Sequence, residues 1–299
     1  MSTYIHCRRL APDQSARRFA SPVLRRRRLA FSLIELLVVV ALLSIIILGL
    51  LLMFNQTQKA FRTGMAQVDV LESGRAATEM LSRELLQMTP AYSSNGVNFY
   101  VGLPKLASYS PLSQPLPGST TPAEARTNLL EEMFFLTRYN RTWAGIGYLV
   151  TPPDEGVATL YRFYGTNLFG QDPATLYGAY LNASLTNMSR IIDGVVHFKV
   201  RAFDTNGVWI DRTLNLNITI TNGTPAYDFG EVRDLRFYSN AVPAFVEFEL
   251  GILEQRTLER AKSIPAAARR AYLEKQAGRV HLFRMRVPIR NVDPTAYQP

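Results

Sequence analysis

Apolar positions follow three rhythms along this chain of 299 residues. The first is an unbroken apolar run over residues 31–54, in which Glu35 is the only charged position. At about 1.5 Å per residue such a helix spans roughly 36 Å, enough for a hydrocarbon core of about 30 Å. The second rhythm is helical. Phe61, Met65, Val68 and Leu71 recur at spacings of three or four, as do Leu81, Leu85 and Met88. Lys59, Arg62, Glu72, Arg75, Glu79 and Glu84 fall off that stripe, which predicts an amphipathic helix over residues 55–88. Thr89-Pro90 ends it, because a residue before proline disfavours the helical region. Residues 31–88 are therefore expected to form one rod of roughly 85–90 Å. Gly49, Gly64 and Gly74 are the places where it would bend.

The third rhythm is mainly that of strands. Residues 91–125 are rich in Ser, Pro, Gly and Tyr and read as a long loop with short strands. A brief helix is expected to start at Thr121-Pro122-Ala123-Glu124. Strands are predicted over residues 133–137, 147–150 and 159–164. Residues 195–203 and 208–210 flank Asp204-Thr205-Asn206-Gly207, a good hairpin signal. Residues 214–220 alternate apolar and polar, as a strand with one wet face does. In residues 246–250, Glu247 and Glu249 share one face, read as solvated, and Val246, Phe248 and Leu250 the other. Residues 253–277 are helical in composition but broken at Ser263-Ile264-Pro265, giving two short helices. Residues 280–290 close the chain as a strand. The expected class is α+β: a long N-terminal helix packed on a mostly antiparallel β domain.

Charge changes this picture at one end. The formal charge is +9, but eight arginines against Asp13 place +7 of it before Phe31, in a basic leader of residues 1–30 that ends in Arg25-Arg26-Arg27-Arg28. The folded part is left nearly neutral, so nucleic-acid binding by it is not expected. The arginine run fixes orientation by the positive-inside rule, with the leader cytoplasmic and the C-terminus outside. A cleaved secretory signal fits less well, because its apolar region would be about 7–15 residues and end in a small-residue site. The only cysteine, Cys7, lies in the leader.

The string Ala30-Phe31-Ser32-Leu33-Ile34-Glu35-Leu36-Leu37 resembles the processing motif of type IV pilins and type II secretion pseudopilins. The resemblance implies cleavage by prepilin peptidase between Ala30 and Phe31, methylation of the new N-terminus at Phe31, and a glutamate fifth in the mature chain at Glu35. Ala30 stands where that family usually has glycine, and the leader is long for it. The physics points the same way. A carboxyl inside a bilayer costs a few kcal/mol and is functional by default. Cleavage would create an amine four residues from Glu35. Pairing that amine with the Glu35 carboxylate of a neighbouring subunit would offset desolvation of both and set axial register. The competing reading is a plain signal anchor whose glutamate snorkels to the interface.

Residues 74–85 are similar to the corresponding helix of minor pseudopilin J and minor pilin W, as are Leu235-Arg236-Phe237-Tyr238, residues 242–250 and residues 281–288. The insertion at residues 253–277 departs from a compact member of that group. The resemblance implies a pilin-like fold and a low-abundance subunit at or near the tip of a periplasmic pseudopilus. Its partners would be the prepilin peptidase, the major and other minor pseudopilins, and the inner-membrane assembly platform. The implied location is the bacterial inner membrane, single-pass, with the C-terminal domain periplasmic. A minor pilin of a surface type IV pilus, and a membrane-anchored binding domain, stay open beside it.

No enzyme, cofactor or metal site is expected. His197 and His281 lie singly in predicted strands and read as packed or surface residues. Asp204-Thr205-Asn206-Gly207 has oxygen ligands suited to calcium, but a hairpin turn uses the same residues. Arg269, Arg270 and Lys275 near Tyr272 read as a solvated helix surface.

Overall fold

The computed structural model describes residues 32–104, 110–115, 125–152, 156–168, 170–222 and 233–298. Ala30, Phe31, the arginines Arg25, Arg26, Arg27 and Arg28, and the helix expected at Thr121 lie outside them. The chain divides into two compact units, Met1–Gln58 and Lys59–Pro299. Helix α1, Leu33–Leu85, supplies the described structure of the first and opens the second. Its end falls just short of the expected one. Met88 instead bridges to Thr137, and the Thr89 N–H donates to the Leu136 carbonyl.

The second unit is built on a sheet whose strands are β1 (Ser93–Gly102), β4 (Glu132–Tyr139), β5 (Thr142–Thr151), β6 (Ala158–Thr166), β7 (Ser189–Phe203), β8 (Ile218–Asn222), β9 (Arg233–Ser239), β10 (Phe245–Leu253) and β11 (Val280–Pro288). Their order is β11-β10-β7-β6-β5-β4-β1-β9-β8, and every pairing is antiparallel. A small ribbon pairs β2 (Ser113–Pro115) with β3 (Ala125–Thr127). The predicted α+β class is therefore the observed one. The strands expected near residues 133, 147, 159, 195, 246 and 280 all form. The two short helices also form, as α3 (Gln255–Lys262) and α4 (Ala266–Glu274).

Two expectations fail for local reasons. Among the described residues of 91–125, β1 is longer than the short strands expected, a buried strand between β4 and β9. Its Asn98 looks like a turn residue in sequence. The Asn98 side chain accepts from the Ala91 N–H and donates to the Ser239 and Ala241 carbonyls, so a polar group in the interior is fully used. Residues 214–220 are not one strand. Asn215 Oδ1 accepts from the N–H groups of Asn217 and Ile218, folding an Asx turn that delays pairing until Ile218.

Helices cover part of each face of the sheet. On one, Val70, Ala77, Leu81 and Leu85 of α1 join Phe99, Met133, Phe135, Tyr148, Phe198 and Phe248 in the main core. On the other, Leu176 and Tyr180 of helix α2 (Ala174–Leu181) pack on Tyr100, Phe134 and Phe163. Leu258, Ala261 and Leu273 of α3 and α4 pack on Val157, Val196 and Leu253. Arg270, read from sequence as solvated, donates to the Ser110 and Pro111 carbonyls and ties α4 to the chain before β2.

Candidate functional site

The first described turn belongs to Ser32. Its hydroxyl accepts from the Glu35 N–H at 3.2 Å, and its carbonyl accepts from the N–H groups of Glu35 and Leu36. Ser at the N-cap with Glu three residues on satisfies helix-end donors and places a carboxylate at the positive end of the helix dipole. Beyond it the helix contains an 18-residue window of mean hydropathy 3.3 with none of its residues buried. Its polar interruptions are satisfied within the helix: Ser44 donates to the Val40 carbonyl and Thr57 to the Met53 carbonyl. A helix in which every backbone group is paired internally is one of the few forms that can stand in lipid.

The later part of α1 has two apolar faces, not the single stripe expected. Val70, Gly74, Ala77, Leu81 and Leu85 are buried. Phe61 (67% exposed), Met65 (54%), Val68 (59%) and Leu71 (48%) are not. At about 100° per residue, the centres of the two groups lie roughly 145° apart around the helix. The first group packs into the core against the sheet, while Val68 and Leu71 of the second border an open groove beside Phe283 and Met285. The contact is close at Gly74, where a side chain would overlap the Phe283 ring.

Glu84 secures the same helix. Arg162 of β6 reaches its carboxylate with Nε at 2.9 Å and with a terminal nitrogen at 2.7 Å. The Tyr148 hydroxyl donates to it as well. Burial, then the Glu84 charge, push the Tyr148 hydroxyl well above the ordinary phenol range. In sequence Glu84 falls off the apolar stripe. It follows buried Ala77 and Leu81 by seven and three positions, spacings that place it at the border of the buried face.

The face of β7, β10 and β11 turned away from α1 carries a ladder of charge. The register sets Arg201 and Arg286 on either side of Glu247, and Lys199 and Arg284 on either side of Glu249. Arg284 lies 2.7 Å from Glu247, and Arg126 of β3 lies 3.1 Å from Glu249. Glu247 is 7% exposed, so the solvated-face reading is corrected: cations from both neighbouring strands cover the carboxylates. His197 is buried in this ladder. Its Nδ1 accepts from the Leu129 N–H at 3.0 Å, and its Nε2 lies 2.7 Å from an Arg126 guanidinium nitrogen and 3.4 Å from Glu249. The hydrogen bond from His197 holds the Glu249 carboxyl down to about 2, and burial lowers His197 itself. At Asp204 the carboxylate accepts from the N–H groups of Asn206 and Val208, so the turn reading accounts for it. Among the described residues no group of three or more His, Cys, Asp or Glu is placed to hold a metal.

These features define a class: a chain with one N-terminal helix long and apolar enough to cross a membrane, whose later half packs on an antiparallel sheet in a pilin-like α+β fold. Residues 25–51 match the family model described as the prokaryotic N-terminal methylation motif. That motif marks a precursor of the type IV pilin or pseudopilin kind, whose members are structural subunits, and it implies processing by prepilin peptidase and assembly with other pilins. No curated protein matches the chain.

Proposed function

We propose that the chain is a minor pseudopilin-like subunit, assembled at or near the tip of a type II secretion pseudopilus to support protein export. In this reading residues 1–30 are the leader, 31–54 the membrane half of the helix, 55–88 its amphipathic half, and 89–299 the periplasmic domain. Prepilin peptidase cuts between Ala30 and Phe31, which removes the cluster Arg25, Arg26, Arg27 and Arg28, and Phe31 is then methylated. With those cytoplasmic charges gone, the helix can leave the bilayer during assembly.

One observation supports this reading most. A helix that begins in a methylation motif carries a second apolar face, Phe61, Met65, Val68 and Leu71, that its own domain leaves uncovered. Fully burying such side chains contributes about 1.5–3 kcal/mol each. Packing against other subunits of the assembly would realise that energy, and Glu35 would fix which partners and which register through its pairing with a neighbour's amine. The test is Glu35→Ala in cells that assemble the filament. Membrane insertion should persist and incorporation into the tip complex should fall at least about tenfold. Normal incorporation of that variant would remove the role given to the carboxylate. A surface type IV pilus would use the same helix in the same way, and incorporation of the protein into that filament instead would redirect the reading.

A further inference from the structure

β11 ends the sheet, and among the described residues no strand pairs with its outer edge. The Ile289 N–H donates to the Ala244 carbonyl and the Glu254 N–H to the Arg279 carbonyl, so the odd-numbered residues of β11 are those bonded toward β10. By antiparallel alternation, the N–H and C=O groups of Leu282, Arg284 and Arg286 point away from the sheet. They form a template onto which an extended chain can add.

The two sides of that edge differ in chemistry. The side chains of Arg284 and Arg286 stand on the face away from α1, both exposed; Arg284 pairs inward with Glu247, Arg286 lies over the Phe203 and Phe245 rings, and the five cations of this face outnumber its two carboxylates. On the α1 side, Phe283 and Met285 line an open, mostly apolar groove whose other wall is Val68 and Leu71 with Glu72, Arg75 and Thr78. A strand laid along β11 would set residues opposite Arg284 and Arg286 on the basic face and its intervening residues in the apolar groove. The inner neighbour of β11 already displays the matching pattern. Val246, Glu247, Phe248, Glu249 and Leu250 of β10 face Val287, Arg286, Met285, Arg284 and Phe283 in order.

We propose that the outer edge of β11 is a docking site for an extended segment of another polypeptide in which acidic residues alternate with apolar ones. Charge complementarity selects this occupant. A second copy offering its own β11 would bring arginine against arginine, which cross-strand pairing disfavours.

The test uses the full-length protein in detergent and two labelled peptides. One copies residues 244–252, and the other carries lysine at the positions of Glu247 and Glu249. Fluorescence anisotropy should give binding of the acidic peptide at least about tenfold tighter than the lysine peptide. Hydrogen exchange should slow at the Leu282, Arg284 and Arg286 amides. Leu282→Pro removes an outward N–H and Val68→Glu charges the groove wall. Each should weaken the acidic peptide about tenfold or more. Val68 is exposed on a helix, so its variant decides the matter if Leu282→Pro does not fold. Equal affinity for the two peptides, protection elsewhere, or no saturable binding below millimolar peptide would overturn the proposal.

Discussion

Gly74 of α1 rests directly on the ring of Phe283 in β11, with no room for a side chain between them. The helix backbone thus approaches the sheet at the glycine that looked, in sequence, like a point of bending. Gly74→Leu is expected to destabilise the protein by about 2–3 kcal/mol through overpacking. Combining it with Phe283→Ala should recover more than half of that loss, because the two positions share one space. Chemical denaturation of the single and double variants measures both. Additive losses would mean that the contact does not set the helix position.

The Glu84 carboxylate joins α1 to Arg162 and Tyr148, with side-chain exposures of 17% for Glu84 and 19% for Arg162. Replacing Arg162 by Met leaves a largely buried carboxylate beside a tyrosine. The expected cost is about 2–3 kcal/mol, below the loss for a fully buried pair because some solvent screening remains. Glu84→Gln should cost less, since an amide still accepts from Tyr148. Thermal melts of the two variants at equal detergent concentration rank them.

Acid should weaken the sheet face that holds His197. Glu249 titrates at about 2 in the folded protein, below an ordinary carboxylate, so its contribution is full above the ordinary range and is lost as pH falls toward 2. His197 is also lowered, so the unfolded chain takes up its proton first as pH drops below the ordinary histidine value of about 6.5. Both groups therefore make stability rise with pH. Arg126, Lys199, Arg201 and Arg284 are the cations that face the pair. Glu249→Gln should flatten the stability profile below about pH 4.5, and His197→Gln should flatten it nearer pH 6. Denaturation midpoints from pH 3 to 8 provide the measurement. A wild-type profile that falls with rising pH would contradict the assignment.

Phe61 and Met65 belong to the face of α1 that the domain leaves open. Phe61→Asp and Met65→Asp should leave the melting temperature unchanged within about 2 °C, because neither contributes to the core. Incorporation into an assembled complex should fall sharply. Loss of folding in either variant would place these residues in the chain's own core instead.

The sequence alone exposed what periodicity and local chemistry control. The apolar run around Glu35, the turn at Asp204 and the break before Pro265 each depend on residues close together, and each appears where local rules put it, although the strand expected after that turn is reduced to a single bridge between Phe203 and Trp209. Long-range partners were harder to read. Nothing near Asn98 in the chain announces the carbonyls of Ser239 and Ala241 that let it sit inside a strand. Glu247 and Glu249 look solvated until β7 and β11 bring arginines to both sides. The apolar positions from Phe61 to Leu71 and from Leu81 to Met88 read as one stripe. Helical geometry over that length separates them, and only the sheet reveals which part is covered. Of the candidate site, Glu35 could be recognised from its isolation in an apolar span. The Glu84 clamp could not, because Arg162 lies 78 positions away.

The most direct test of a pilin-like precursor is the mass of its N-terminus after co-expression with a prepilin peptidase. The expected product lacks residues 1–30 and begins at methylated Phe31, while Phe31 and the leader remain joined in cells without the peptidase. An intact chain in the presence of an active peptidase, or a cut at any other bond, would contradict the account.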